Sequence, residues 1–425
     1  MGLVNWAIFY SLTVFLTRKC REMILRPRMQ QQLFEWNDNS SITFTGSASK
    51  DKMSISSQLE IFFEILHAEK TPRINSYDVT SHEGVPGGAF QSISGGSTGL
   101  PKIVERSCKS WILSFDANNN FYNLRQNRVA IFGSITHSLA LYGALEGLHL
   151  GCEVHHLKGL MPIKQLKYLM SRNIQVLYVT PTQLRLMLSA KHRNYCLESL
   201  RYVFIGGSSI EHQTLKKLSE IAPNAELKQF YGSSETSFIT LSDRLTPIDS
   251  VGKAYPNVEI VLGDWPNQPV STGEAGRIWV RSPYLFSRYV DEHTFNSDKV
   301  SGWVSPGELA KFDVNQNLYI LGRIDRMFKI KDQSILPEEI ENFLLTKKDI
   351  IAVALIKKNN VLRGNTAIAY IGTRKSVNIE ELREACIALV PVLDSSFRIV
   401  ELSIQKFPIL PSGKPDIYEL EQWEN

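Results

Sequence analysis

Along residues 41 to 322, short runs of apolar and β-branched residues alternate with longer stretches in which apolar positions recur every three or four residues. The runs "SITFTG", "RVAIFGS", "CEVHHLKG", "IQVLYVTP" and "LRYVFIGGSS" end in turn residues and predict buried strands. The stretches "SSQLEIFFEILHAEK", "MPIKQLKYLMSR" and "HQTLKKLSEIA" carry helical spacing instead. Strands separated by helices imply parallel sheets built from right-handed crossovers, which makes the fold class α/β.

The pattern changes near "YILGRIDRMFKIKDQS". Beyond it, "IIAVALIKK", "NTAIAYIGT" and "FRIVELSIQ" predict strands of a separate unit of about a hundred residues, enough for a small α+β domain. In "SILPEEIENFLL", Pro337 stands where a helix begins and Glu338 and Glu339 complement its positive end, while Ile340, Phe343 and Leu344 form its apolar face. The expected organisation is a large N-terminal core of several subdomains over residues 1–324, with mostly parallel sheets flanked by helices. A small mobile C-terminal domain would occupy residues 325–425.

Composition narrows the function only by exclusion. A chain of 425 residues, 43% hydrophobic and 21% charged, is that of a soluble globular protein, and a net charge of +4 is too small to argue for a nucleic-acid partner. Cys20, Cys108, Cys152, Cys196 and Cys386 are far apart and odd in number, so neither a disulfide framework nor a zinc site is indicated, and a reducing cytoplasm fits best. The apolar opening from Leu3 to Leu16 lacks a basic start and a cleavage site and is shorter than a span of about 20 residues. It reads as a helix docked on its own domain, with an interfacial anchor as the alternative.

The candidate chemistry starts at "SGGSTGLPK", Ser94 to Lys102. Its glycines Gly95, Gly96 and Gly99 permit close approach, and its amides with the hydroxyls of Ser94, Ser97 and Thr98 suit a polyphosphate. Leu100 and Pro101 exclude a Walker A loop, in which the lysine follows the last glycine directly and a helix begins there. Pro101 also disfavours helix at Leu100, so the loop should run from strand to strand. Taken alone it is equally a polar surface hairpin.

Read with the motifs that follow it, this loop resembles the signature loop of the adenylate-forming enzymes: acyl- and aryl-CoA synthetases, peptide-synthetase adenylation domains and firefly luciferases. "RYVFIGGSSI" is similar to the family's adenine-side turn, at Gly206, Gly207 and Ser208. "YGSSETS" resembles its adenine and magnesium motif, in which Tyr231 would stack on the purine beside Gly232, Glu235 would hold magnesium, and Thr236 would contact phosphate. "GWVSPGELAKFD" resembles the ribose-binding segment, with Glu308 where relatives usually have aspartate; either carboxylate can accept from a vicinal diol. "GRIDRMFKIKDQSILPEEIE" is similar to the hinge motif, with Arg323 toward the nucleotide and Asp325 as pivot. "PILPSGKPD" resembles the C-terminal lysine motif and offers Lys414 as the principal catalytic residue. The resemblance covers residues 40 to 425 and implies ATP, Mg2+ and a small carboxylic acid as ligands. It further implies an acyl- or aryl-adenylate, with transfer to the pantetheine thiol of CoA or of a carrier protein. An enzyme that stops at the adenylate and a non-catalytic nucleotide- or acyl-binding homologue are the alternatives.

Several positions depart from the family pattern. The loop begins at Ser94, earlier than in relatives, which implies a shortened first subdomain. Asp332 stands where a glycine usually lets the pantetheine arm pass. In "GSITHSLALYGALEGLHLG", His137 resembles the gating residue of the acid ligases, and His137 and Ser138 would face the acid. No aspartate is present there to pair with an α-ammonium, which argues against amino acids. The double glycine of "SGGSTG" resembles aryl-acid ligases of siderophore pathways, although Ser138 replaces their asparagine. A small aryl or medium acyl acid is the expected substrate.

Overall fold

The computed structural model describes residues 33–44, 54–76, 78–93, 102–189, 195–208, 210–247, 249–290, 299–360, 364–393, 397–410 and 414–423. The apolar opening and the segment Ser94 to Gly99 lie outside the described residues.

An eight-stranded sheet forms the centre. Its order is Ser41–Phe44, Glu153–His156, Arg128–Ile131, Val176–Val179, Tyr202–Gly206, Glu226–Ser233, Ser237–Leu241 and Lys253–Ala254. The first six strands pair in parallel and the last two turn back antiparallel. Val176 to Val179 are buried on both faces, as a central parallel strand requires. From Arg128–Ile131 the chain passes to a neighbour on one side and then returns to a neighbour on the other. That reversal leaves a crevice at the carboxyl ends of Arg128–Ile131 and Val176–Val179, the place where open α/β sheets bind ligands.

Two further sheets complete this part of the chain, and their pairing is largely antiparallel. The strand Ala89–Ile93 pairs with Ile103–Ser107, Ile93 opposite Ile103, so the expected strand-to-strand setting of the 94–102 loop is met by its flanks. On the other sheet, Glu308–Phe312 pairs with Leu318–Arg323, which brings Glu308 directly opposite Arg323. The largest core cluster runs from Phe34 through Phe62, Phe90, Trp111 and Phe115 to Tyr142 and Tyr178.

Beyond residue 325 a three-stranded sheet combines Ile350–Asn360, Gly364–Thr373 and Arg398–Ser403. Period-two alternation divides its side chains between two cores. Val353 and Leu355 pack on one face with Ile340 and Leu344 of the helix Pro337–Leu345; Ala354 and Ile356 pack on the other with Phe407 and Leu420. Leu186 joins this second core from the helix Pro181–Leu188. Arg374 Nη1 donates to the Ser189 carbonyl at the same contact. Among the described residues no helix is long and apolar enough to cross a membrane.

Candidate active site

The crevice widens into a cavity of about 260 Å³. Phe132, Gly133 and Ser134 reach it from the end of one central strand and Thr180 from the end of the next. Thr180 and Pro181 start a helix through a capping box, Thr180 Oγ1 accepting from Gln183 N while Gln183 Oε1 accepts from Thr180 N. His137 precedes the helix Ser138–His149 and supplies no side-chain cap, so the positive end of that helix stays open beside the cavity. Burial, with Lys158 and Lys414 nearby, lowers the His137 pKa and keeps the ring neutral; its Nδ1 is buried without a hydrogen-bond partner.

Ten of the expected site residues line this one cavity: Lys102, His137, Ser138, Gly207, Gly232, Glu235, Glu308, Arg323, Asp325 and Lys414. Gly207 has φ +102°, and a Cβ there would lie 3.6 Å from Lys414 Cε. Only glycine takes that conformation without strain, and the turn lies in van der Waals reach of the lysine. Lys414 itself is carried on a backbone bracketed by two bonds, Leu410 N to the Lys414 carbonyl (2.8 Å) and Asp416 N to the Pro408 carbonyl (3.0 Å). Burial and Arg323 lower the Lys414 pKa, and the carboxylates of Glu308 and Glu235 oppose them.

Glu308 Oε2 accepts from the Tyr231 hydroxyl at 2.8 Å and Oε1 from Arg323 Nη1 at 3.1 Å. Arg323 gives Nε and Nη2 to Asp325. Burial raises the Glu308 pKa to about 7 despite the arginine, the tyrosine and Lys414. For Arg323 the balance runs the other way: burial disfavours its charge, but Asp325 and Glu308 together outweigh that and hold the guanidinium protonated. The arginine's charge is shared, and the more deeply enclosed carboxyl receives the smaller part.

Among the described residues, four expected ones do not line the cavity. Gly206 packs instead, since a Cβ there would sit 2.2 Å from Phe230 Cζ. Ser208 lies just past Gly207, and Tyr231 commits its hydroxyl to Glu308. Thr236, expected at phosphate, is fully buried and turned inward. Its Oγ1 accepts from Ser233 N at 3.1 Å and shares a hydrogen bond with Ser233 Oγ, so it holds the turn while Ser233 lines the cavity.

Sequence reasoning missed the support of that turn. Arg106 is fully buried; Nη1 donates to the Ser234 carbonyl, and Nη2 to the Tyr284 carbonyl and to Ser237 Oγ (2.9 Å). Its guanidinium also sits over the Trp111 ring. Burial lowers its pKa to about 9, with Glu235 acting in the opposite direction. Tyr289 was missed as well: its hydroxyl donates to Glu235 Oε1 at 3.0 Å, and Lys102 Nζ lies 5.0 Å from its ring centre. No motif marks either residue.

A hard divalent cation fits this chemistry. Mg2+ takes one or two carboxylates and completes its shell with substrate phosphates and water, and Glu235 beside the Ser233 and Ser234 hydroxyls offers such a partial set. Among the described residues there is no cluster of three or more His, Cys, Asp or Glu that would hold a metal ion by itself.

The sequence pattern of AMP-binding enzymes matches residues 89–290. The chain is 32% identical over 286 residues to YhfT of Bacillus subtilis, an uncharacterized acyl-CoA ligase, covering 66% of this chain and 58% of that protein. Residues 89–290 thus carry an AMP-binding enzyme domain, and the relatives of the chain are acyl-CoA ligases. VraA of Staphylococcus epidermidis, named provisionally as a long chain fatty acid-CoA ligase, is 27% identical over 315 residues, covering 74% of this chain and 64% of VraA. The chain therefore spans about three fifths of the length of the curated relatives it matches. In fold this chain is similar to the o-succinylbenzoate CoA synthetase MenE of Bacillus subtilis in complex with ATP and magnesium. The TM-score is 0.65 at 22% identity, over 78% of this chain and 69% of MenE.

Proposed function

We propose that the protein activates a carboxylic acid with ATP and passes the acyl group to a pantetheine thiol. One observation carries the reading: Lys414 shares a single cavity with Glu235 and with the Glu308–Arg323 pair. A binding module has no use for an ammonium group at that point, whereas a phosphoryl centre gaining negative charge does. Relatives named as acyl-CoA ligases and a similar fold seen with ATP and magnesium support the same reading.

The substrate carboxylate attacks the α-phosphorus, the bond to the bridging oxygen breaks, and pyrophosphate leaves with its electron pair; the product is a mixed anhydride whose leaving group is AMP. Lys414 would neutralise charge between carboxylate and α-phosphate. The open N-terminus of the helix after His137 would favour the incoming anion. Glu308 would accept from both ribose hydroxyls, with Arg323 holding it. Lys102 and the Ser94 to Gly99 loop would face the β- and γ-phosphates, and Mg2+ held through Glu235 would screen them. In the second half-reaction the thiol sulfur attacks the acyl carbon, AMP departs, and the thiol proton goes to solvent.

Asp325 is the proposed pivot between residues 1–324 and 325–425. On one side Arg323 is tied to Glu308, and on the other Arg326 donates to Glu338 (2.9 Å) and Glu341 (2.6 Å) of the following helix. Rotation would then be confined to Ile324 and Asp325. The acceptor is CoA or a carrier protein, since both present the same arm. Pyrophosphate exchange over a panel of aryl, acyl and amino acids, followed by mass spectrometry with CoA or a holo-carrier protein, tests the reading. Exchange with no acid would overturn it.

A further inference from the structure

The acid end of the cavity is closed by aromatic rings. Trp111, Tyr142 and Phe238 line it and are each at most 5% exposed. They meet edge to face, Trp111 to Tyr142 at 5.1 Å and Tyr142 to Phe238 at 5.3 Å between ring centres, and Phe230 joins Phe238 at 4.5 Å.

Tyr142 cannot swing out of the way. Behind it stand Phe115 at 5.1 Å and Tyr178 at 6.1 Å, both in the main core. Its hydroxyl points away from the cavity into a buried polar network: Ser114 Oγ at 2.7 Å, Asn118 Nδ2 at 3.1 Å and Glu146 Oε1 at 3.4 Å. Glu146, one turn further along the same helix, is fixed in turn by Asn118 Nδ2 at 2.9 Å and by the Tyr178 hydroxyl. Asn118 Oδ1 accepts from Tyr255 at 2.7 Å, so four chain segments hold one ring. Leaving any of these buried groups unpaired costs about 1–3 kcal/mol, which keeps the network intact. No motif of the nucleotide site includes Tyr142 or Glu146.

We propose that Tyr142, locked from behind by Glu146, is the floor of the acid pocket and restricts the protein to compact aromatic acids, excluding long alkyl chains. This rests on the adenylation reading above. A long chain entering past Phe230 meets a ring backed by packed core; a benzoate-sized acid ends against it and gains edge-to-face contacts of about 0.5–1.5 kcal/mol each. Glu146 touches no substrate atom and acts as a positioning residue through Tyr142.

The test is calorimetric binding of AMP and of non-hydrolysable acyl-sulfamoyl adenosines to the full chain. Wild type should bind the benzoyl analogue at least about tenfold more tightly than the hexadecanoyl one. Tyr142→Ala should raise affinity for an octanoyl analogue about tenfold and leave AMP unchanged. Because that variant hollows the core, Glu146→Ala serves beside it: the octanoyl to benzoyl ratio should rise with AMP affinity unaltered, and Glu146→Gln should restore the ratio. Equal binding of hexadecanoyl and benzoyl analogues by wild type would overturn the floor. Failure to bind AMP would overturn the adenylation reading, and the floor with it.

Discussion

Glu308 and Arg323 face each other across an antiparallel strand pair with 3.1 Å between Oε1 and Nη1, yet the carboxyl keeps a pKa of about 7. Burial outweighs the arginine, whose other two donors serve Asp325. If Glu308 accepts from two ribose hydroxyls, as proposed, it must be ionised, so below about pH 7 binding must first expel a proton. Affinity for adenosine, which does not itself titrate there, should fall about tenfold per pH unit as pH drops below 7. Glu308→Gln should bind more weakly and show no such slope in titrations between about pH 5 and about pH 8.

Lys414→Ala should abolish the chemistry of the first step while sparing ligand binding. Pyrophosphate exchange should fall about a hundredfold to a thousandfold, AMP affinity should change little, and a supplied acyl-adenylate should still yield thioester. Retained exchange would remove Lys414 from the mechanism.

Arg106→Met should damage both stability and the metal end of the site. The carbonyls of Ser234 and Tyr284 lose their donor, at about 1–3 kcal/mol each, and the turn carrying Glu235 loosens. Urea denaturation should show the loss, and KM for Mg-ATP should rise about tenfold, equivalent to about 1.4 kcal/mol.

Tyr289→Phe isolates one bond of the same turn. Removing the hydroxyl from Glu235 should weaken the Mg2+ dependence of exchange about fivefold, near 1 kcal/mol, with the melting temperature unchanged.

Asp332 is exposed in the turn between the strands Phe328–Ile330 and Gln333–Ile335. Lys331 beside it already takes φ +52°. Asp332→Gly should leave pyrophosphate exchange unchanged and raise the rate of thioester formation with CoA, read by mass spectrometry. An unchanged thioester rate would show that the aspartate does not obstruct the arm.

The strands of the central sheet were legible because each is a short apolar run closed by turn residues, and the cavity-lining positions because they sit in contiguous motifs. Lys414, Glu235 and Glu308 could be read that way, although they meet only in the fold. Arg106 could not: it follows Glu105 in one strand, both are buried, and each has a partner more than a hundred residues away, at Ser234 and Arg288. Tyr142 and Glu146 read as two more positions on a buried helix, and only the approach of Ser114, Asn118 and Tyr178 turns them into a fixed wall. Thr236 misled for the opposite reason, since a motif fixes a residue type and leaves the direction of its side chain to the turn.

Much of the cavity is assembled from turns that follow separate strands of the central sheet, and this divides the chain into parts that can change independently. On the proposed reading, the turns at Gly207 and at Ser233 to Glu235 would meet groups every ATP molecule presents alike, so drift there would be penalised whatever acid is used. The cavity-lining residues between Phe132 and Tyr142 would, on the same reading, meet the acid. A descendant could exchange one diet for another by altering that stretch and inherit its energy source unaltered.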